Sequence, residues 1–351
     1  MATIRLTAAQ ALVRYLAAQL GELDGTEVPL FAGVWAIFGH GNVAAHPDAR
    51  LAGLADTVPA AAAHLAVSLG ARVLSVDDAL RADAVLIASP TPTHAGYIER
   101  AAERGCPVFC EKPIDLSADR VRACLGVVRQ TGVALMVGFN RRFDPHFAAL
   151  KARLDAGEIG ALELLTIISR DPSPPPISYV ESSGGLFRDM MIHDLDMARF
   201  LLGEEPVEVS AAASCLVDPA IGAAGDVDTA VVTLCTASGR LCQISNSRRA
   251  SYGYDQRIEA HGAKGLLRAG NVLPTTVELA DASGIRTDPV LPFFLERYGA
   301  AYRAELSAFV AAVIGGVPAR PDGADGLRAL LLADAALESS RTGRTVRPEE
   351  L

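Results

Sequence analysis

The sequence predicts an α/β protein in which a doubly wound parallel sheet is followed by an α+β domain with a mainly antiparallel sheet. Three observations predict this fold class. Short apolar runs alternate with helical segments in the first part of the chain, which is typical of strands buried on both faces of a parallel sheet. Strand patterns separated by turn residues dominate the second part. The length of 351 residues also exceeds the roughly 250–300 residues that one core usually holds.

The elements follow in chain order. A helix is expected over 6–20 and a polar loop over 21–29. In the parallel-sheet region, strands are predicted at 34–38, 51–55, 72–76, 84–88, 108–110 and 134–139. Helices are predicted between them at 60–69, 94–104 and 118–130. The second region has strands predicted at 162–169, 207–217, 229–236, 240–247, 256–261 and 276–279, with helices at 144–156, 186–202, 298–313 and 326–340. The proline-rich stretch 171–176 can join neither a strand nor a helix.

The composition excludes several classes of partner. Thirty-two basic and 41 acidic residues give a net charge of −9, which argues against nucleic acid or an anionic membrane. The six cysteines form no C-x-x-C pair, so a reducing cytoplasm is expected rather than a disulfide framework. No apolar run reaches the length of about 18 residues that a membrane span needs. Arg5, Gln10 and Arg14 interrupt any candidate signal peptide.

The first strand of the parallel sheet is followed by Gly39-His-Gly41-Asn-Val-Ala44, which matches the pattern G-x-G-x-x-A. Small residues there permit a tight turn and a close approach of the backbone to a pyrophosphate. Asp56 ends the next apolar run, where a carboxylate can accept a hydrogen bond from a ribose hydroxyl and repel a 2′-phosphate. The pattern favours a site for NAD over NADP, although an ordinary glycine turn has the same local sequence.

The first crossover is predicted to be unusually short. Gly39 and Asp56 are 17 positions apart, and Pro47 stops any helix that starts near Gly41. A parallel crossover usually needs about a dozen residues or more, with a real helix. The helix that would face the pyrophosphate therefore has little more than one turn and a weak dipole.

Two further loops follow predicted strands at their carboxyl ends, where ligands bind in open α/β sheets. Ser89, Thr91 and His94 come after strand 84–88 and could line the nicotinamide ribose, or form a plain loop and helix cap. Lys112 comes after strand 108–110, where its ammonium group could bind an alkoxide-like oxygen. The alternative for Lys112 is an ordinary surface lysine.

Asp189 and His193 form the second candidate catalytic group. They are four residues apart, so on a helix they share one face, and a histidine oriented by a carboxylate is a suitable general base near neutral pH. Together with Asp196 they could instead ligate a metal, but no further His or Cys cluster supports a tetrahedral site, and no metal is expected. The remaining alternative is an ion pair on a helix surface.

Three motifs carry a family resemblance: Glu111-Lys112-Pro113, Gly138-Phe-Asn140-Arg-Arg142-Phe, and Gly184-Gly185…Asp189…His193-Asp194…Asp196…Arg199. Together they resemble the Gfo/Idh/MocA oxidoreductase family. Two more segments are similar to the inositol dehydrogenases of that family: Ser169-Arg-Asp171-Pro-Ser-Pro-Pro-Pro176 and Gly253-Tyr254-Asp255-Gln-Arg257. The resemblance runs from about Gly41 to the C-terminus.

The resemblance implies a Rossmann domain and an α+β domain with a large open sheet, through which members often form homotetramers. It implies NAD-linked oxidation of a polyol, with myo-inositol converted to scyllo-inosose in inositol catabolism. The matching positions make His193 the base, Asp189 the residue that orients it, and Lys112 the partner of the reacting oxygen. Glu111 and Lys112 are also expected at the cofactor, and Asn140, Asp171 and Tyr254 at the substrate hydroxyls. The resulting domains are an N-terminal extension (1–30), a dinucleotide-binding domain (31–140) and a substrate and oligomerisation domain (141–351).

The N-terminal segment departs from this family. Residues 1–44 resemble the start of a thiamine-diphosphate-dependent trihydroxycyclohexanedione hydrolase, through Thr7–Gln19 and Pro29-Leu-Phe-Ala-Gly-Val-Trp-Ala-Ile-Phe-Gly-His-Gly-Asn-Val-Ala44. We interpret this as an in-frame fusion that replaced the first strand and most of the first helix. The segment is too short for thiamine chemistry, so no thiamine cofactor is expected. Two alternatives to an inositol dehydrogenase remain: a related sugar or polyol dehydrogenase, and an impaired fusion protein that only binds or assembles.

Overall fold

The computed structural model describes residues 20–23, 26–29, 46–56 and 59–350. The chain divides into two compact units. The first contains the chain up to Gly138 together with Glu305–Gly323, and the second contains Phe139–Ala304 and Ala324–Leu351. The predicted strand 34–38 and all of the predicted helix 6–20 except Leu20 lie outside the described residues.

A β-hairpin occupies the segment that was predicted as a polar loop. Leu20–Leu23 (β1) pairs antiparallel with Thr26–Pro29 (β2). The loop prediction was therefore wrong over these residues. It relied on polar composition and overlooked the sequence Asp24-Gly25, a residue pair that favours two-residue hairpin turns.

The first unit contains the predicted parallel strands. Gly53–Leu54 (β3) pairs in parallel with Arg72–Val73 (β4). A second parallel sheet has the order Val85–Ile87 (β5), Val108–Cys110 (β6) and Leu135–Val137 (β7), with every residue of β6 and β7 buried. The helices between these strands are Pro59–Leu69 (α1), Val76–Ala79 (α2), His94–Ala102 (α3) and Ala118–Thr131 (α4).

The edge strand β7 pairs with a segment that lies far away in the sequence. The Val137 N–H group donates a hydrogen bond of 2.9 Å to the Pro321 carbonyl, and Met136 forms an isolated bridge with Asp322. The Phe109 and Phe309 rings also meet edge to face at 5.8 Å. The segment Glu305–Gly323 therefore belongs to the first unit, although the sequence analysis placed it within 141–351.

The second unit contains a six-stranded mixed sheet. Its strands are Leu162–Arg170 (β8), Pro206–Ser214 (β9), Thr229–Thr236 (β10), Leu241–Ser247 (β11), Asp255–Gly262 (β12) and Gly265–Ala269 (β13). Their order is β13-β12-β8-β11-β10-β9, and every pair is antiparallel except β8 with β11. Glu278–Asp281 (β14) and Gly284–Thr287 (β15) form a separate hairpin. Strands β13 and β15 were not predicted from the sequence, because they are short and largely exposed.

Helices and turns surround this sheet. The helices are Pro145–Asp155 (α5), Ile177–Ser183 (α6), Ile192–Leu202 (α7), Pro219–Ala223 (α8), Phe294–Arg297 (α9), Gly299–Gly315 (α10) and Gly323–Thr342 (α11), and α10 begins in the second unit and ends in the first. The predicted helix 186–202 is divided into a π-helical turn, Leu186–Met190, and α7. Gly203 ends α7 at φ 65°.

One face of the six-stranded sheet lies in the core. Val232, Leu234 and Ile244 alternate along β10 and β11 with less buried residues, and they join Leu195 and Leu201 of α7 in one apolar cluster. The predicted fold class, a parallel α/β sheet followed by an α+β domain, is confirmed. No helix in the part of the chain that the structure describes is long and apolar enough to cross a bilayer.

Candidate functional site

The carboxyl ends of β5, β6 and β7 form one edge of the first unit. Ser89 follows β5, Glu111 and Lys112 follow β6, and Gly138 follows β7. Backbone hydrogen bonds hold these ends in register, because the Glu111 N–H donates to the Ile87 carbonyl at 2.9 Å and the Gly138 N–H to the Cys110 carbonyl at 2.8 Å. The loops predicted for a cofactor thus leave adjacent strands at the same edge.

His94 ties two of these loops together. Its ring is 2 % exposed, with Nδ1 at 2.8 Å from the Pro113 carbonyl and Nε2 at 2.6 Å from the Ser89 carbonyl. Burial lowers the pKa of His94, which favours the neutral ring. A neutral ring donates a hydrogen bond to only one of these two carbonyls, but both nitrogens face the backbone of the fold, so His94 holds the two loops rather than offering a nitrogen to a cofactor.

The hydroxyl groups of the loop after β5 are partly used within the loop. The Ser89 and Thr93 hydroxyls lie 2.5 Å apart, and the Thr93 hydroxyl donates to the Pro90 carbonyl at 2.7 Å. Thr91 begins the 3₁₀ turn that leads into α3 and is half-buried. Ser89 and Thr91 therefore stand where they were predicted, at the strand end, and their contact with a cofactor stays a prediction.

Glu111 and Lys112 form the buried part of this edge. Lys112 is 8 % exposed, and burial raises the pKa of the Glu111 carboxyl to about 7 against the opposing effect of Lys112. Gly138 makes room for the acid, because a Cβ atom there would lie 2.9 Å from Glu111 Oε2. A lysine with so little exposure is not an ordinary surface lysine.

The remaining cofactor residues divide into two groups. Asp56 is exposed and lies two residues after β3, at the carboxyl end of that strand. Gly39, Gly41 and Ala44 lie outside the described residues. The described part of this unit fits a dinucleotide, since the Asp56 carboxylate and the hydroxyl-bearing and glycine-containing loops all follow parallel strands at their carboxyl ends.

The second unit brings a group of charged side chains to the carboxyl ends of its two parallel strands. Arg170 ends β8 and Ser247 ends β11, and these two residues are paired in register. Asp171 and Arg248 come next, and the Asp171 N–H continues the ladder by donating to the Ser247 carbonyl at 3.0 Å. Parallel pairing therefore places an acid and an arginine side by side.

Asp189 lies on the π-helical turn and faces this group. Its Oδ1 accepts a hydrogen bond of 2.9 Å from the Tyr179 hydroxyl, and its Oδ2 lies 3.7 Å from Arg248 Nη2. Burial raises the pKa of Asp171 to about 6, and the neighbouring Asp189 adds to this shift while Arg248 opposes it. Asp171 and Asp189 were predicted here from the sequence. Tyr179 and Arg248 were not, and the placement of Arg248 depends on the parallel pairing of β8 with β11.

His193 lies in the first turn of α7, four residues after Asp189. The residue is half-buried, and its Nδ1 atom is fully buried. The Phe139 ring packs against it edge to face at 6.1 Å and fixes the plane of the imidazole. A histidine held in this way can exchange a proton only through a restricted part of its ring.

Asp196 does not join Asp189 and His193. Its carboxylate accepts hydrogen bonds of 2.8 and 2.6 Å from Arg142 Nε and Nη2 and is 1 % exposed. The metal-binding alternative for these three residues is therefore wrong, because an arginine occupies the carboxylate that would complete the ligand set. A cleft of about 350 Å³ lies beside Arg142 and Arg199, but ion pairs with Asp196, Asp325 and Glu205 already satisfy both arginines there.

Asn140 and Tyr254 are more buried than substrate contacts usually are. Asn140 is 4 % exposed at the start of a 3₁₀ turn, and Tyr254 is 6 % exposed. The Tyr254 ring meets the Tyr298 ring edge to face at 6.0 Å within the apolar core cluster, and it meets the exposed Phe293 ring at the same distance. Their roles at substrate hydroxyls stay predictions.

Comparison with known proteins covers both units. Residues 32–139 match the family model described as "Oxidoreductase family, NAD-binding Rossmann fold", and residues 147–268 match the "GFO/IDH/MocA C-terminal domain". The chain is 55% identical over 307 residues to an inositol 2-dehydrogenase of Rhizobium meliloti. The aligned region covers 87% of this chain and 93% of the relative. The first match begins at residue 32, ahead of Gly39.

Two solved structures show the same architecture. A myo-inositol dehydrogenase from Corynebacterium glutamicum superposes with a TM-score of 0.86 at 48% identity, over 90% of this chain and 97% of that one. A scyllo-inositol dehydrogenase from Lactobacillus casei, with bound NAD(H) and scyllo-inositol, superposes with a TM-score of 0.84 at 30% identity, over 91% and 97% of the two chains.

The raised pKa of Asp171 predicts a pH-dependent effect on stability. A carboxyl whose folded pKa is about 6, instead of 3.8, contributes stability that is full below about pH 3.8 and lost as the pH rises through about 6. The Asp171→Asn variant lacks this dependence. Its free energy of unfolding, relative to wild type, should therefore rise by about 1–2 kcal/mol between pH 4 and pH 8 in urea titrations.

The matched control for this experiment is Asp48→Asn, which removes an exposed carboxyl. Its stability relative to wild type should change little over the same pH range. A constant difference between Asp171→Asn and wild type across this range would show that Asp171 does not titrate as the structure indicates.

Proposed function

Because the chain belongs to the Gfo/Idh/MocA oxidoreductase family, we propose that it is an NAD-dependent dehydrogenase that oxidises myo-inositol to scyllo-inosose. The observation that carries this proposal is the match to inositol dehydrogenases, which extends over both units of the chain. The charged group of the second unit supports it, since carboxylates such as that of Asp171 accept hydrogen bonds from the hydroxyls of a polyol.

Oxidation of an alcohol requires the removal of a hydride from carbon and a proton from oxygen. Bound NAD supplies the acceptor for the hydride. The protein must take the proton, and His193 is the group in the second unit suited to this step near neutral pH. With Nδ1 buried, Nε2 is the nitrogen available to the hydroxyl. Asp189 would orient the ring and stabilise its protonated form.

Lys112 is proposed to stabilise the oxygen as it loses its proton. Its ammonium group is a strong donor to a developing oxyanion, and its low exposure increases the strength of that interaction. Asp171, Asn140 and Tyr254 are proposed to contact the other hydroxyls of the ring. Gly39, Gly41, Ala44, Asp56, Ser89, Thr91, His94 and Glu111 are proposed around NAD, with His94 acting through its hold on the loops.

Scyllo-inositol is a second candidate substrate, because the Lactobacillus casei enzyme is named for it and holds it in its structure. It differs from myo-inositol in the orientation of one hydroxyl. A site built from several carboxylates and a histidine does not by itself select between these isomers.

Turnover should be measured with purified protein, NAD and each polyol. We expect reduction of NAD with myo-inositol, less with glucose, and still less when NADP replaces NAD, because Asp56 would repel a 2′-phosphate. The rate with scyllo-inositol shows whether the site selects between the two isomers. Activity on glucose alone would favour the sugar dehydrogenase alternative.

Titration with NAD tests the alternative of an impaired fusion protein. No binding at millimolar NAD would show that the shortened first crossover has destroyed the cofactor site.

Substitution of the catalytic residues should separate chemistry from binding. His193→Ala and Lys112→Met are each expected to lower kcat by about 10²–10⁴ while NAD affinity stays within a few-fold of wild type. His146→Ala and Lys264→Met are the matched controls, because both residues are exposed. Retained turnover in either catalytic variant would refute the role assigned to it.

We also propose a homotetramer assembled through the open face of the six-stranded sheet. Leu266, Leu164 and Leu241 lie in one row across the sheet, with His261 of β12 between Leu266 and Leu164, and the three leucines are 42 %, 41 % and 43 % exposed. An apolar row on a sheet face that no helix of the described chain covers is typical of an interface between subunits.

Leu164→Glu should convert the tetramer into smaller species, because it places a charge in the centre of this row. Light scattering after size-exclusion chromatography gives the mass. Leu279→Glu is the control, since Leu279 is 52 % exposed on the separate β14–β15 hairpin. A wild-type monomer, or an unchanged tetramer in Leu164→Glu, would contradict the proposed interface.

A cytoplasmic location and a role in inositol catabolism complete the proposal. All six cysteines are free thiols in the described chain, which suits a reducing compartment. The ketone that the reaction forms is a suitable starting point for further breakdown of the ring.

A further inference from the structure

Arg248 is a buried arginine that the proposed reaction does not yet use. It follows β11 and is 1 % exposed, whereas the next residue, Arg249, is exposed. Its backbone N–H donates to the Asp228 carbonyl at 2.8 Å. Its Nε and Nη2 atoms are buried and make no hydrogen bond within the described residues. A guanidinium group cannot lose its proton in a protein, so its charge must be balanced by nearby anions.

Two carboxylates balance this charge without bonding to it. Arg248 Nη2 lies 3.7 Å from Asp189 Oδ2 and 3.9 Å from Asp226 Oδ2. These distances are too long for hydrogen bonds, but the electrostatic attraction is strong because water is excluded. Asp171 also interacts with Arg248. The Arg248 guanidinium therefore balances the charge of three carboxylates, those of Asp171, Asp189 and Asp226. Asp189 belongs to the proposed catalytic group.

Asp226 anchors the turn that carries Asp189. The Leu186 N–H lies 3.1 and 3.0 Å from the two Asp226 oxygens, at the start of the π-helical turn. Gly185 permits this contact, because it has φ 79° and a Cβ atom there would lie 2.5 Å from Asp226 Oδ1. The turn is thus held at its first residue by the same acid that faces Arg248.

We propose that Arg248 is a positioning residue that holds the Asp189 carboxylate in place and keeps a positive charge beside it while His193 gains and loses a proton. Tyr179 holds one oxygen of Asp189 by a hydrogen bond, and Arg248 attracts the other. Asp226 limits the positive charge that His193 experiences from Arg248. The inference rests on the proposed function, in which Asp189 orients the base.

The arrangement determines the sign of two pH effects. The charged or titratable groups around Asp189 and His193 in the described second unit include Asp171, Tyr179, Asp194 with its partner Arg141, Asp226 and Arg248. Removal of the positive charge of Arg248 stabilises the protonated form of His193, so the base becomes neutral only at higher pH. Removal of the negative charge of Asp226 has the opposite effect on His193.

The test measures kcat/KM for myo-inositol against pH in two variants. Arg248→Met should move the acidic limb of the profile upward by about one pH unit, and Asp226→Asn should move it downward by several tenths. Asp226→Asn retains an oxygen that can accept from the Leu186 N–H, so the turn keeps its anchor. A merely structural role would lower activity without shifts of opposite sign.

The controls separate charge from folding. Arg249→Met removes the same charge from the adjacent exposed position and should leave the limb unchanged. Arg248→Lys keeps the positive charge, so the acidic limb of its pH profile should lie within a few tenths of a pH unit of the wild-type limb. If Arg248→Met does not fold, the pH profile of Asp226→Asn is the test. An acidic limb that stays at the wild-type pH, or moves to higher pH, in that variant overturns the proposal. An unchanged limb in folded Arg248→Met also overturns it.

A titration without turnover distinguishes this inference from the proposed function. NMR of ¹⁵N-labelled histidine, assigned with His193→Gln, reports the pKa of His193 directly. A protein that does not oxidise inositol, yet shows the two shifts in His193, would refute the proposed function and retain the role of Arg248. An active protein whose His193 pKa is the same in all variants would refute the role of Arg248 alone.

Discussion

The candidate site of the second unit depends on one parallel contact in a sheet that is otherwise antiparallel. Pairing of β8 with β11 aligns Arg170 with Ser247, so the residues that follow both strands leave the sheet at the same end. Asp171 and Arg248 meet there for that reason alone. An antiparallel arrangement would have sent them to opposite ends, about the length of a strand apart. The meeting of Asp171 with Arg248 follows from this pairing, and Asp189 faces Arg248 from the π-helical turn that Asp226 anchors.

Buried ion pairs then determine which polar groups remain for chemistry. The acids of the π-helical turn and α7 are each opposed by an arginine from another segment, as in Asp194 with Arg141 and Asp196 with Arg142. Loss of one partner from such a pair leaves an uncompensated buried charge, which typically costs about 3–5 kcal/mol. These pairs fix α7 against the 3₁₀ turn that carries Arg141 and Arg142. His193 lies in the first turn of the same helix, next to Asp194, so the ion pairs of α7 also hold His193 in place.

Much of this arrangement was accessible from the sequence. Buried strands such as β6 and β7 are short apolar runs without polar alternation, and the spacing of Asp189 and His193 indicated one helix face. The sequence could not reveal the addition of Glu305–Gly323 to the first unit, because that depends on pairing between Met136 and Asp322 across a long separation. Arg248 was missed for the same reason. Tyr179 was missed because nothing in its local sequence marks a partner for Asp189. The wrong metal-binding alternative came from spacing alone, which could not show that Arg142 already holds Asp196.

Hydride transfer from the inositol ring to the nicotinamide can be followed directly with myo-inositol deuterated at the carbon that bears the oxidised hydroxyl. The protein is incubated with this substrate and NAD, and the reduced cofactor is analysed by NMR. A deuterium atom at C4 of the nicotinamide is the predicted result, since the hydride leaves carbon while the proton leaves oxygen. Reduced cofactor without deuterium, or no reduction at saturating inositol and NAD, would contradict the account.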